Sequence, residues 1–383
     1  MHAISVCYIA SHAIEKVPEG HNQGSVRVIE AAMKAGVKTS VVSLENSLSH
    51  ARKGFFPVRS SFKAVRKTSV FPSVRELFSS LPAMAVAKNL DCDLIHLLNI
   101  TKEVFMLNSR VMNTEKKCIT HFYHSSFPFS AYTTFKIRSL LLKLGFFNQV
   151  LATNRSLVSY LIDSLGLDGQ KVHLVPFPVD VNQFKPRNKE SLRQKYGLPT
   201  EAPIIAYVGA IDADRGFFSL IESFRRVLRQ MPDAILYVSH PNRGDLTIDL
   251  ARNPSIKDNV FFRGPGPFIE DVYSLADVVV LPFERPYWIT APPLVVLEAM
   301  ASGTPTVTTP LDAIKDVGTD LFDLMFVNPG DPESLADAIV YALENEDEAR
   351  TIGLRARENM IRNFSMETVG EILRKTYREI IDS

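Results

Sequence analysis

The sequence predicts an α/β protein built on two parallel sheets, and three observations carry that prediction. Apolar runs at 4–10 and 39–44 flank a helical segment at 25–35 that Gly36 stops, a β-α-β opening continued by strand-like runs at 93–98, 118–124, 149–153 and 171–176. The pattern restarts at 204–208 and proceeds through 234–239, 260–263 and 277–282. Between the two series, the run 185–203 is rich in proline and charge and reads as an interdomain linker.

Length and composition agree. A chain of 383 residues, 46% of them hydrophobic, suits two or three domains with real cores and excludes a disordered chain. The net charge of +1 hides an asymmetry, because residues 1–180 hold 21 Lys and Arg against 12 Asp and Glu while the remainder holds 22 against 30. A basic first half is suited to an anionic partner. Cys7, Cys92 and Cys118 are scattered, odd in number and set in apolar runs without a CxxC pair, as expected for reduced core residues of a cytosolic protein. The run 4–10 has no basic stretch before it and reads as a strand, not a signal peptide. No apolar run approaches the ~20 residues that cross a bilayer.

The loop SHAIEKVPEGHNQG after the first strand is long, and long loops at the carboxyl ends of parallel strands tend to line sites. Gly24 and Ser25, at the expected helix start, are candidates for approaching a ligand; a simple turn is the plain alternative. Residues 51–78 interleave Arg52, Lys53, Arg59, Lys63, Arg66, Lys67 and Arg75 with phenylalanines. That mixture suits an anionic lipid surface, with nucleic acid as rival and a solvated basic face over core phenylalanines as the plain alternative. The run 127–147, with Lys136, Arg138 and Lys143 and no acid, is either a half-inserted amphipathic helix or a core helix with a basic outer face. Asp91 and Asp93 form a DxD placed before a strand, at the end opposite the expected site, and Asp212 and Asp214 form a second. Neither has a His/Cys ligand set beside it, so no required metal is expected. His121 and His124 fall near the carboxyl end of the strand at 118–124, where an open parallel sheet places its site.

The most informative stretch is 281–310, LPFERPYWITAPPLVVLEAMASGTPTVTTP, which reads strand, loop, helix, turn, strand. Pro292-Pro293 is expected to open the helix and Gly303 to close it. The amides of Leu294 and Val295 would then point out of the helix with the positive end of its dipole, a seat for a phosphate. Glu298 lies about 7.5 Å along the axis, where its carboxylate could accept from ribose hydroxyls; a local cap or ion pair is the plain alternative. Gly209, after the strand at 204–208, allows close approach of a backbone to a ligand, and Arg215 just before a helix is placed for a diphosphate. Gly264, in the GPGP that follows 260–263, offers backbone groups to a base edge.

LVVLEAMASGTP, FVNPGDPESLADAI and NFSMETVGEILRKTY together resemble the C-terminal half of retaining family-4 glycosyltransferases, the glycosyl transferases group 1. That family has the GT-B fold, two Rossmann-like domains facing across a cleft, with a C-terminal helix crossing back to the first domain. The resemblance covers nearly the whole chain, most strongly from 260 onward. It implies an acceptor-binding domain over 1–185 completed by 366–383, and a donor-binding domain over 186–365. It further implies metal-independent transfer of a sugar, with retention, from a UDP- or GDP-sugar to a lipid-linked or glycan acceptor. Arg215 and the amides of Leu294 and Val295 would stabilise the leaving diphosphate and Glu298 would hold the ribose. Gly24, Ser25, Gly209 and Gly264 would line the donor, and His124 would orient its sugar. A cytoplasmic protein, peripheral at an anionic membrane and without a nucleic-acid partner, is the implied setting.

The sequence departs from the family pattern at several places. Thr290 stands where the first motif glutamate is expected, Pro292-Pro293 replaces Phe-Gly, Ala210 stands in place of an arginine, and the strand at 234–239 ends in SHPNRG where the family usually has a glycine-rich turn. The loop ERPYWI brings Glu284, Arg285, Tyr287 and Trp288 as possible substitutes toward the donor sugar. A catalytically silent scaffold and a nucleotide-sugar epimerase or hydrolase of the same fold remain open alternatives.

Overall fold

The computed structural model describes residues 3–10, 20–43, 55–57, 89–98, 116–122, 149–164, 166–240, 256–263, 268–285 and 291–383. Its contacts divide the chain into two units, Met1–Pro178 with Met366–Ser383, and Val179–Ser365.

Among the described residues the first unit contains seven parallel strands: β1 (Ser5–Ala10), β2 (Lys38–Ser43), β3 (Phe55–Pro57), β4 (Leu94–Leu98), β5 (Lys117–Phe122), β6 (Gln149–Ala152) and β7 (Val172–Leu174). They lie in the order β3-β2-β1-β4-β5-β6-β7, so the chain builds outward from β1 in one direction and returns to β1's other side at β4. Val6, Cys7, Tyr8 and Ile9 are all buried, the continuous apolar strand that a sheet covered on both faces requires. Helix α1 (Gly20–Lys34) packs on the C-terminal helix Met366–Asp382, where a side chain on Gly370 would run into the Ala31 carbonyl and Lys34 pairs with Glu367 at 3.0 Å.

One expectation changes here. Helix α1 starts at Gly20, so Gly24 and Ser25 lie inside the helix and do not open it. A Cβ on Gly24 would stand 3.0–3.2 Å from three ring atoms of Phe177, so the glycine makes room for that ring. Asp93 does not face a ligand: its carboxylate accepts from the Ser5 backbone amide at 2.7 Å and hydroxyl at 2.8 Å, stitching the entrance of β4 to β1. Cys7 and Cys92 are both buried, and interaction with Cys92 together with burial pushes the Cys7 thiol up.

A buried polar chain joins the C-terminal helix to this sheet. The Tyr8 and Tyr377 hydroxyls lie 2.9 Å apart, Tyr377 Oη lies 2.8 Å from His96 Nδ1, and the His96 ring stacks on His121 with centroids 5.6 Å apart. His121 Nε2 donates to the Val175 carbonyl at 3.0 Å. Burial, with the neighbouring His121 adding to it, holds His96 well below the usual histidine range; burial also pushes His121 down to about 4, against the opposing effect of its Val175 hydrogen bond.

The second unit contains β8 (Ile204–Val208), β9 (Ile235–Ser239), β10 (Val260–Arg263), β11 (Val278–Leu281), β12 (Thr306–Thr308) and β13 (Met325–Phe326), all parallel in the order β10-β9-β8-β11-β12-β13. Its helices include α2 (Lys189–Tyr196), α3 (Phe217–Gln230), α4 (Ile269–Leu275), α5 (Leu294–Ala301), α6 (Pro332–Glu344) and α7 (Glu346–Asn359). Phe217, Leu220 and Phe224 of α3 pack with Leu335 and Ile339 of α6 over Tyr207, Val278 and Val280.

The expected linker at 185–203 is part of this unit. Asn188 caps α2, accepting from Ser191 N at 2.8 Å, and Gly197 ends it in the left-handed conformation at φ 66°. The charges that resembled a solvated linker have fixed partners: Arg187 and Lys195 both reach Asp271 at 2.8 Å, while Lys189 and Arg193 both reach Asp277 at 2.6 Å. Burial opposes ionisation of Asp271, and the hydrogen bonds from Lys195 and Tyr196 overcome it, so its carboxyl titrates below the usual range. Residues 179–185 join the second unit as well, since Val179 N donates to the Phe364 carbonyl at 2.8 Å and Arg357 Nη1 donates to the Phe184 carbonyl at 3.0 Å.

The buried histidines make the first unit acid-sensitive. Their folded pKa lies below the unfolded value near 6.5, so the stabilisation is complete above that value and is lost as pH falls from 6.5 toward the folded pKa. The slope is at most about 1.4 kcal/mol per pH unit for each histidine. Hydrogen exchange followed by mass spectrometry should show β4, β5 and the C-terminal helix losing protection between pH 6.5 and 4.5 after correction for intrinsic rates. Constant protection over that range would contradict the assignment.

Candidate functional site

In the second unit the chain runs from β8 outward to β9 and β10 and then returns to β8's other side at β11. The carboxyl ends of β8 and β11 therefore flank the topological switch point, where open parallel sheets leave a crevice. The turn after β8 and the segment after β11 meet there through backbone. Gly216 sits at φ 70°, and any side chain on it would collide with the Pro282 carbonyl. Glu284 N donates to the Asp214 carbonyl at 2.9 Å, tying the two segments together.

Gly209 ends β8 at φ 153°. Its amide donates to the Ser239 carbonyl at 3.1 Å, and its own carbonyl lies 3.0 Å from His240 Nδ1. A Cβ at this position would sit 3.7 Å from Arg215 Nη1, so the guanidinium lies beside the glycine. Asp212 holds the turn, accepting from Arg215 N at 2.8 Å and approaching Arg215 Nε at 3.5 Å.

On the other side of the switch point, the expectation for Pro292-Pro293 is corrected by one step. Pro293 is the residue before α5, with the extended angles φ −61° and ψ 131°, and the helix proper begins at Leu294. The Pro293 carbonyl accepts from Val296 N at 2.9 Å and Leu297 N at 3.3 Å. The amides of Leu294 and Val295 thus precede the first intrahelical bonds, and no side chain caps this end. Glu298 is buried, 7% exposed, and its Oε2 accepts from the Tyr273 hydroxyl of α4 at 2.8 Å. That partner is 25 residues away in sequence.

Glu284 and Arg285 have partners within the unit. Glu284 Oε1 accepts from Ser219 Oγ of α3 at 2.5 Å, and Arg285 Nε lies 3.4 Å from Asp214. Glu284 thus has one carboxylate oxygen engaged by α3. His124, Gly264, Thr290 and Trp288 lie outside the described residues. Gly24 and Ser25 belong to the first unit and are placed as above.

The structure brings Gly209, Arg215, Leu294, Val295 and Glu298 to one switch point, and it adds four residues that sequence reasoning missed. Gly216 carried a usable signal, a glycine directly before an apolar helical run. Tyr273, Ser219 and His240 carried none, because their partners are 25, 65 and 31 residues distant.

Residues 188–359, within the second unit, match the family model described as Glycosyl transferases group 1. Among curated proteins, the D-inositol 3-phosphate glycosyltransferase of Nocardia farcinica is 28% identical over 228 residues, covering 57% of this chain and 49% of that protein. The chain thus spans about half the length of the curated relatives it matches. Among solved structures, the sucrose-phosphate synthase of Thermosynechococcus elongatus aligns with a TM-score of 0.80 at 20% identity, covering 99% of each chain. The Anabaena HepE protein in complex with UDP aligns with a TM-score of 0.78 at 16% identity, covering 98% of this chain and 100% of that one. Both share the two-domain GT-B fold.

Gly216→Ala should lower the stability of the second unit by about 1–3 kcal/mol, the cost of a non-glycine residue in a strained conformation, before the added clash with Pro282 is counted. A shift of the denaturant midpoint would show it; an unchanged midpoint would mean that this contact does not set the turn.

Proposed function

We propose that the protein is a retaining glycosyltransferase that transfers a sugar from a nucleoside-diphosphate sugar. The observation that carries this reading is the convergence of Arg215, the uncapped amides of Leu294 and Val295, and the buried carboxylate of Glu298 at one switch point. Support also comes from the UDP held by the Anabaena neighbour and from the glycosyltransferase named among the curated relatives.

In this mechanism the bond between the sugar's anomeric carbon and the diphosphate oxygen breaks, and the acceptor oxygen bonds to the same carbon on the same face. The departing phosphate oxygen takes the acceptor's proton. Arg215 and the α5 amides meet the charge that develops on the leaving diphosphate, without need of a metal. Glu298 orients the ribose, and His124 the sugar. The acceptor is lipid-linked or a glycan, and the basic first half supports a cytoplasmic protein peripheral to an anionic membrane.

The test is turnover of UDP- and GDP-sugars offered with lipid and glycan acceptors. Product with retained anomeric configuration supports the proposal. Binding of bare nucleotide with no consumption of any donor would replace it with the silent scaffold, and consumption without acceptor with an epimerase or hydrolase.

Glu298→Ala should weaken nucleoside-diphosphate binding by roughly 1.5–3 kcal/mol, the range for hydrogen bonds to a charged group. Calorimetry on the folded variant decides this. Arg215→Ala should weaken the diphosphate more than the monophosphate, and equal losses would remove Arg215 from the outer phosphate. Flotation with anionic liposomes should show binding that salt weakens; no binding at low salt would remove the membrane from the proposal.

A further inference from the structure

His240 ends β9 one strand away from the switch point, and its geometry fixes what the ring can offer. The Gly209 carbonyl only accepts, so the nitrogen 3.0 Å from it, Nδ1, carries the proton. In the neutral ring Nε2 is then a bare lone pair. Among the described residues nothing donates to it. The ring is half-buried and is held from its other end, so Nε2 is an oriented acceptor.

The surroundings decide which part of a ligand it meets. The diphosphate seat lies between Arg215 and the start of α5. On the β12 side of that seat the polar groups are already used: Thr308 Oγ1 donates to the Leu281 carbonyl and Thr309 Oγ1 to the Phe283 carbonyl, both at 2.7 Å. A nucleoside extending from the seat along the carboxyl edge in the other direction crosses β8 and reaches β9, where His240 stands.

We propose that His240 determines base specificity, its Nε2 accepting the ring N–H of a uracil or guanine base. This inference rests on the donor-site reading above. Uracil presents N3–H and guanine N1–H, whereas cytosine and adenine present a bare ring nitrogen at the corresponding position. Two lone pairs facing each other form no hydrogen bond and leave both groups desolvated and unpaired. The carbonyl of Gly209 therefore sets the selectivity indirectly, by choosing the histidine tautomer.

The experiment is calorimetry on the full chain with UDP, GDP, CDP, ADP and N3-methyl-UDP, the last having a methyl group in place of the ring proton. The wild type should bind UDP and GDP about tenfold or more tighter than CDP, ADP and N3-methyl-UDP, one hydrogen bond's worth of discrimination. His240→Asn keeps an N–H within reach of the Gly209 carbonyl but has no acceptor where Nε2 stood. It should bind UDP, CDP and N3-methyl-UDP alike, with an unchanged melting temperature. Equal affinities of the wild type for UDP, CDP and N3-methyl-UDP would overturn the proposal while leaving the donor site standing, and would do so even if the variant failed to fold. Undiminished discrimination by a folded His240→Asn would overturn it too. Binding of none of the nucleotides would overturn the donor-site reading and this inference with it.

Discussion

Gly216 and Pro282 touch through backbone, in a space that no side chain can enter. The contact is simple, but the site is assembled on it. It brings the turn after β8 against the exit of β11, which places Arg215 beside Gly209 and lets the Asp214 carbonyl receive the Glu284 amide. The chain after β11 then enters α5 with the first two amides of that helix uncapped. One half carries a cation beside a backbone turn and the other the uncapped start of a helix with a carboxylate inside it, and the missing Cβ lets the two segments meet at the backbone.

A second constraint holds the second unit together at the opposite, amino-terminal edge of its sheet. Asp277 directly precedes β11 and receives Lys189, Arg193 and the Ile204 amide at 2.6–2.7 Å, so α2 is fastened to the starts of β8 and β11 together. Asp271 does the same for α4. Breaking such a cluster by removing one member leaves a charge buried without a partner, which costs more than the intact cluster gains.

Most strands were legible in the sequence because both faces of each sheet are covered, which forces continuous apolar runs. Ile204–Val208 and Val260–Arg263 coincide with their expected bounds, whereas the two- and three-residue strands β13 and β3 are too short to show such a run. Charged segments were not legible. The run 185–203 has a linker's composition, and what makes it structure is a pair of aspartates more than 70 residues away. Glu298 could be selected from helix geometry, but its Tyr273 partner could not, since a tyrosine on one helix carries no mark of the carboxylate it meets on another. Helix α1 was misread for a related reason. Gly24 looked like a start signal, whereas its meaning is the Phe177 ring packed against it.

The electrostatics of the crevice follow from these pairings. Asp212 and Asp214 neutralise Arg215 and Arg285, so the four side chains of the turn carry no net charge. This does not disable Arg215. Its ion pair with Asp212 is long, 3.5 Å, and both side chains are nearly half exposed, at 46% and 44%. Pairs of that kind contribute at most about 1 kcal/mol, less than a charge-assisted hydrogen bond to phosphate returns. An incoming diphosphate can therefore draw the guanidinium from Asp212 at small cost, while Asp212 still holds the turn through the Arg215 backbone amide. Among the described residues no side chain caps the α5 amides, so an anion at this edge would meet a dipole that is already free and a cation that has to be drawn from Asp212.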